Sequence, residues 1–415
     1  MTSNIFKSIN YNQLIEILLG FYIFTFCVST KLSNFILILL LIFVIYGILI
    51  NKIKFSFKLV NLLFVFFYLL YAIGVFYTKN KSLSFFYLEN KFSFIFFPFI
   101  FSFLRDFHLN INRLNNILII GVLTLAIMGI VNGFHCSIYN LSKHCFFTTS
   151  FSFIHHPSYF LVFNCVSFCF LALQYFQSKI ISFYKVISYL VVSFGIHILS
   201  LSLAGILFFA FVVTFFSIYF FYSKFNRPIF YISIVLMVLL SIFTATKVRI
   251  LNNELRGASK YILVYTHSPT DFVASRKSDM SGSEVRLVMW TVTFLEIKEH
   301  PWGVGTGNVD FYLRKRLRLL NQPDLAKYNY NPHNQFLQTT LEIGVVGLFL
   351  LLGLIIHISY LAWKQKNWIL LILATNLFFN SLFESMLQRQ SGIVFYCFWI
   401  VLLLSFIPST KKLKI

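Results

Sequence analysis

His333, Asn334 and Gln335 follow an Asn331-Pro332 pair at the entrance to the apolar run 336–360. An asparagine side chain caps a helix, and proline suits the first helical position. The pair therefore predicts a helix start at Asn331, with the histidine and both amides in the first turn. The positive end of a helix disfavours an imidazolium and attracts phosphate oxygens. A neutral imidazole held there can take a proton from a hydroxyl; it can equally be a plain capping or interfacial residue. Gly344 and Gly347 lie 11 and 14 residues beyond the histidine. At the helical period they return to within about 20–40° of its face. Small residues there let another helix approach closely.

Other residues of chemical interest are scattered. In the stretch "SEVRLVMWTVTFLEIKEHPWGVGTGN", Arg286, Trp290 and Thr293 share a helical face, and Gly303 and Gly305 sit in a glycine-rich turn. An arginine fork binds phosphate oxygens in pairs. The plain alternative for Arg286 is an ion pair with Glu284 or another acid. Glu384 and Arg389 fall on a turn between two apolar runs, where a charge must pair or act. Lys91 opens another apolar run, either to meet an anion or to snorkel to the surface. His155 and His156 precede a further run; an interfacial belt is the plain reading and a ligand contact the functional one.

The elements that must position these residues are transmembrane helices. The chain has 415 residues, 58% hydrophobic and only 11% charged. Apolar runs of roughly 17–25 residues fit spanning helices. About twelve are expected, at 12–29, 32–50, 58–78, 88–104, 114–134, 157–176, 180–200, 203–222, 228–246, 336–360, 367–383 and 391–408. The expected fold is an all-α polytopic bundle. It divides into an N-terminal membrane unit at 1–246, a large polar loop at 247–335 and C-terminal helices at 336–415. Within the loop, helices are expected at 283–299, capped by Ser281 or Ser283, and across "VDFYLRKRLRLL". The latter carries Arg314, Lys315, Arg316 and Arg318, and fits either an anionic bilayer surface or an ordinary exposed helix.

The net charge of +21 raises the question of nucleic acid, and its distribution answers it. With both termini inside, the inner side carries fifteen Lys and Arg and the short outer loops six. That bias is the positive-inside rule, so no nucleic-acid partner is needed. The polar loop holds thirteen Lys and Arg against eight Asp and Glu, which is +5. Long outer loops are exempt from the rule, so this excess is either a solvated surface or a basin for an anionic substrate. Cys136 and Cys145 share an outer loop, "HCSIYNLSKHC", and suit a disulfide. Zinc held with His135 and His144 is the competing reading. Cys27, Cys165, Cys169 and Cys397 lie in apolar runs as small core residues. No internal repeat is visible, and only Pro98 clearly interrupts a span, which weighs against a transporter built from repeated halves.

"HNQFLQTTLEIGVVG" fits the pattern H-[NSQ]-x9-G-x-x-G, and with the upstream arginine, tryptophan and "HPWGVGTGN" block it resembles the O-antigen ligase and polymerase superfamily. The resemblance is concentrated at about 283–350 and extends over a related region of about 190–350. It implies a metal-independent, inverting glycosyltransferase of the bacterial inner membrane that needs no cofactor, with both termini cytoplasmic and its site facing the periplasm. The donor would be a glycan on undecaprenyl diphosphate, and the acceptor lipid A-core or another glycan. His333 would be the base and Arg286 the diphosphate clamp. Asn334, Gln335, Lys91, Arg389 and Glu384 would line the substrate, and Gly344, Gly347, Trp290, Gly303 and Gly305 would shape the site. The sequence departs from the family at Ser202-Leu203, where a Ser-Arg pair is usual. The phosphate-binding arginine that the resemblance implies is therefore missing, or supplied from elsewhere. A flippase for lipid-linked sugars and a non-catalytic scaffold are the readings of another class.

Overall fold

The computed structural model describes residues 11–49, 55, 58–104, 109–140, 143–178, 181–224, 264–276 and 280–406. The described residues are helical, with no strand. In chain order the helices are α1 (Tyr11–Val28), α2 (Thr30–Leu49), α3 (Leu59–Phe76), α4 (Lys81–Asn90), α5 (Ser93–Phe103), α6 (Ile111–Asn140), α7 (Thr148–Phe151), α8 (Pro157–Ser178), α9 (Phe183–Ser200) and α10 (Leu203–Lys224). There follow α11 (Pro269–Ala274), α12 (Gly282–Glu299), α13 (Val309–Leu319), α14 (Gln335–Lys364), α15 (Trp368–Ser381) and α16 (Gln390–Phe406).

Eight of these are long and apolar enough to cross a membrane: α1, α2, α3, α6, α8, α9, α10 and α14. Helices α15 and α16 are apolar but shorter. The expected run 88–104 is divided into α4 and α5, and the expected run 228–246 lies outside the described residues. Twelve spans are thus not reached among the described residues.

Burial sorts the helices. Along α16 every residue from Ile393 to Leu404 is buried, and most of α8 is buried too. These two are apolar on all sides because they run through the middle of the bundle. Around them, α16 packs on α5 and α15, and α8 on α6, α9, α10 and α15. Helix α2 keeps much of its surface exposed, as a helix facing lipid does.

A second, smaller core stands beside the bundle. Val288, Met289 and Val292 of α12 meet Leu313 and Leu317 of α13, together with Phe272, Val304 and Leu341. Helix α12 begins at Ser281 in a full capping box: its side chain accepts from Glu284 N, and the Glu284 carboxylate accepts from Ser281 N. The two helices expected in the polar loop are therefore present and packed on each other.

Helix α14 ties this core to the bundle, and it is not continuous. Ile343 and Gly344 leave helical geometry, with Gly344 at φ 78° and ψ −180°. Into the break fits the turn 301–307: Val304 N donates to Leu341 O, Gly305 N to Glu342 O, and Val345 N to Pro301 O. The carbonyls and amides that a broken helix leaves open are thereby satisfied. A Cβ on Gly344 would stand 2.6 Å from the Trp302 carbonyl carbon, and one on Gly303 2.6 Å from Gly344 N. Sequence spacing suggested that Gly344 serves helix–helix contact. It serves instead a crossing of two backbones, at a φ that favours glycine. Past the break, 345–364 is one membrane-crossing length at ~1.5 Å per residue. Val346, Phe349, Ile356, Tyr360 and Trp363 form its exposed row.

Candidate active site

The start of α14 differs from the expected cap. Asn331 does not cap the helix; its Oδ1 accepts from His333 N at 2.8 Å in a local turn. The cap is Asn334, whose Oδ1 accepts from Leu337 N at 3.0 Å. His333 therefore precedes the first turn, with its backbone in the left-handed region at φ 47°. Sequence spacing missed this because Asn331 and Asn334 are equally good caps and Pro332 suits either the helix or the turn before it.

The imidazole meets the turn between α15 and α16. Its Nδ1 is 3.1 Å from Oε2 of Glu384, and Arg286 Nη2 donates to the other oxygen at 3.1 Å. Arg286 Nε also donates to Phe383 O at 3.3 Å. The acid that pairs with Arg286 is therefore Glu384 and not Glu284, which pairs with Arg276. One carboxylate thus holds the histidine and the arginine together. Burial alone would raise the Glu384 carboxyl; the His333 hydrogen bond and the positive fields of His333, Arg286 and His156 overcome it and hold it down at about 2. An ionised Glu384 can only accept, so Nδ1 carries the proton. In a neutral imidazole that leaves Nε2 as the basic atom, and no hydrogen-bond partner of Nε2 is found among the described residues.

His156 stands close enough to feel Glu384, Arg389, His333 and Arg286, and burial pushes it below the ordinary histidine value. It belongs to this cluster, which the reading of His155 and His156 as a plain belt did not favour. His155 is a tether instead, its two nitrogens 2.8 Å from Ser391 Oγ and 2.9 Å from Phe26 O. Arg389 is exposed and makes no salt bridge among the described residues. It is the open cation of the cluster, and Leu203 at the start of α10 supplies none.

Three residues expected to line the substrate are spent on the protein itself. Gln335 is fully buried; its Nε2 donates to Thr339 Oγ1 and its Oε1 accepts from Leu387 N. Asn334 Nδ2 donates to Leu382 O at 3.2 Å. Both amides brace the turn 382–389 against α14. Lys91 does not snorkel. It is fully buried, 3.7 Å from Glu342 Oε1, with Nζ donating to Gln388 Oε1 at 3.1 Å and lying over the Tyr71 ring. Glu342 also accepts from Gly307 N and Gln338 Nε2. Glu342 escaped attention in the sequence, although a carboxylate inside an apolar run is itself a signal.

Trp290 lies one turn beyond Arg286, and its indole N–H has no acceptor among the described residues. Gly303, Gly305 and Gly344 shape the clasp already described, and Gly347 packs against Ile343 of its own helix. Cys136 and Cys145 are joined in a disulfide with Cα atoms 5.6 Å apart, so neither thiol is open to a metal. Among the described residues Glu296, Glu299 and His300 are close enough to share an ion. Arg316 already occupies them, at 2.6 Å from Glu296 and 2.5 Å from Glu299.

Residues 187–352 match the family model described as O-antigen ligase. The matched stretch runs from α9 into α14 and holds Arg286, Trp290, the turn glycines, His333, Gly344 and Gly347; Lys91, Glu384 and Arg389 lie outside it. No curated protein matches the chain. The match supports an enzyme of the ligase or polymerase type that handles lipid-linked glycans, and the apolar helices support a multi-pass membrane protein. The stretch 187–352 is thus similar to the O-antigen ligase family, and that similarity supports the O-antigen ligase superfamily for this chain.

Proposed function

We propose that the protein transfers a glycan from undecaprenyl diphosphate to an acceptor hydroxyl, with lipid A-core as acceptor in the ligase reading. The observation that carries this is the His333–Glu384–Arg286 arrangement, which leaves one imidazole nitrogen open, with the exposed cation Arg389 on the turn that carries Glu384. The acceptor hydroxyl gives its proton to His333 Nε2 as its oxygen bonds to the anomeric carbon. The bond from that carbon to the diphosphate oxygen breaks, and attack opposite the leaving group inverts the centre. Glu384 steadies the imidazolium that forms. Arg389, aided by the unspent edge of Arg286, receives the departing diphosphate. Arg389 thereby takes the place of the arginine absent at Leu203.

The site is placed on the periplasmic face of the inner membrane, with both termini cytoplasmic. The positive-inside bias supports this, and so does the disulfide. Cys145 is followed by α7 and then by His156, so the disulfide and the charged cluster share one end of the bundle. A disulfide belongs in an oxidising compartment.

The test is glycan analysis in cells lacking the protein, complemented with wild type, His333→Ala or Arg286→Ala at matched membrane levels. The proposal expects neither variant to restore the surface glycan. Long chains stranded on the carrier lipid mark a ligase, and single repeats mark a polymerase. Full restoration by both variants would remove the catalytic reading and favour a flippase or a scaffold.

A further inference from the structure

Helix α13 presents two opposite faces. Val309, Leu313 and Leu317 are buried in the outer core. Phe311, Lys315, Arg318 and Leu319 are exposed, at i, i+4, i+7 and i+8, and so lie on a common face. Neither Lys315 nor Arg318 makes a salt bridge among the described residues, whereas Arg316, on the flank, is consumed by Glu296 and Glu299. Lys79 adds a third cation, stacked over the Phe311 and Tyr312 rings at 5.4 and 5.8 Å. Asp310, the helix's own acid, points elsewhere, accepting from Tyr87 OH. The face is therefore cationic and apolar at once.

Its height relative to the membrane follows from the clasp. The exposed apolar row of α14 begins at Val346, two residues past the break that holds Trp302. The break therefore marks the bilayer surface on the side of the site. Trp302 is 73% exposed at that level, where tryptophan rings accumulate. Thr306, three residues before α13, donates through Oγ1 to Tyr71 O in the last turns of α3, and α3 ends in exposed Phe76. Ser84 of α4 donates to Thr306 O, and α4 exposes Phe85. So α13 starts at the plane where two apolar helices emerge, within a collar of exposed aromatics.

We infer that the Phe311–Lys315–Arg318–Leu319 face of α13 docks on the anionic phospholipid headgroups of the leaflet on the side of the site. The aromatic and leucine side chains enter the headgroup boundary and the two cations meet lipid phosphates. Free water is a poor occupant for this face, because it would leave the exposed Phe311 and Leu319 hydrated. The inference does not depend on which glycan the site transfers.

The test uses full-length protein carrying Leu319→Cys, labelled with an environment-sensitive fluorophore. Leu319 is 66% exposed, and the free cysteines Cys27, Cys165, Cys169 and Cys397 are buried. Nanodiscs of phosphatidylcholine alone are compared with discs containing phosphatidylglycerol. Each basic residue near an anionic surface is worth roughly a fivefold preference, so two give about 25-fold. The expected result is a blue shift and loss of aqueous quenching only in the phosphatidylglycerol discs. Both are reversed by salt or by Lys315→Glu with Arg318→Glu, and are unchanged by Lys327→Glu, which sits in its own exposed pair with Asp324. Equal quenching in both discs would overturn the inference, and so would insensitivity to the double reversal. The same shift produced by inorganic phosphate in phosphatidylcholine discs would overturn the lipid assignment.

Discussion

Two carboxylates, Glu384 and Glu342, each gather cations and amides at the same end of the bundle, and they are built for different ends. Glu384 binds His333 and Arg286, both of which keep part of their side chains in contact with solvent. Glu342 binds Lys91 with both side chains sealed. The first cluster has unspent capacity: one imidazole nitrogen, an edge of the arginine, and Arg389 alongside. The second has almost none, since Lys91 is used by Glu342 and Gln388 and Glu342 by three donors. Gln388 links them, because it sits beside Arg389 on the turn that carries Glu384. The sealed cluster fixes the turn, and the open one meets the ligand.

The largest expected effect falls on the open cluster. His333→Ala lowers glycan transfer by about 10²- to 10⁴-fold, as loss of a positioned base does. The loss of stability is the smaller effect, because the side chain is part-exposed and gives up one hydrogen bond, to Glu384. Glu384→Gln lowers the rate in the same direction, since a neutral amide no longer fixes the proton on Nδ1. Transfer measured with purified protein and a lipid-linked donor checks both. An unchanged rate for His333→Ala would erase the distinction between the two clusters.

The sealed cluster reverses that pattern. Lys91→Met strands a buried carboxylate and costs about 3–5 kcal/mol. Lys91→Met combined with Glu342→Gln removes both charges and recovers more than half of that loss. Thermal unfolding of the full-length protein in detergent reads both values. If the double variant were no more stable than the single one, the pair would not be acting as a sealed unit.

Acid separates the clusters by another route. Glu384 is held at about 2 in the folded protein, below its ordinary value near 4.5. A depressed carboxyl stabilises the fold above its unfolded value, and the contribution fades as pH falls through the folded one. The shift corresponds to on the order of 3 kcal/mol. The stability gap between wild type and Glu384→Gln therefore narrows as pH falls from about 4.5 toward 2. A gap that stayed constant down to pH 3 would contradict the assignment.

Much of the frame was legible because a bilayer leaves few options. Long apolar runs must be helices there, and α1, α2, α3, α6, α8, α9, α10 and α14 lie where those runs predict them. The two packed helices of the polar loop were legible from their caps and periodicity. The spacing of His333 and the glycines drew attention to the turn where His333 meets Glu384. What could not be read was which polar groups satisfy each other across hundreds of residues. For Arg286 the sequence named Glu284, two residues away, or another acid, and could not say that the acid is Glu384, 98 residues away. Lys91, for which snorkelling was the local alternative, is buried against Glu342 and Gln388 instead. Local arguments favour local partners, and a packed core decides otherwise.

Asn334 is where the smallest effect sharpens the comparison. Its Oδ1 caps α14 and its Nδ2 holds Leu382 O, so one side chain joins helix stability to the geometry of the open cluster. Asn334→Ala removes both, and costs about 1 kcal/mol through the cap alone. Asn334→Asp keeps a cap acceptor, and its charge suits the helix start. It loses the donor and turns an oxygen toward the Leu382 carbonyl, which pushes the turn carrying Glu384 away from His333. The expected outcome is a thermal midpoint near wild type for the aspartate together with a severalfold slower transfer, against losses in both for the alanine. Parallel losses in the two variants would mean that the cap alone matters and that the turn is held by Gln335 and Lys91 without it.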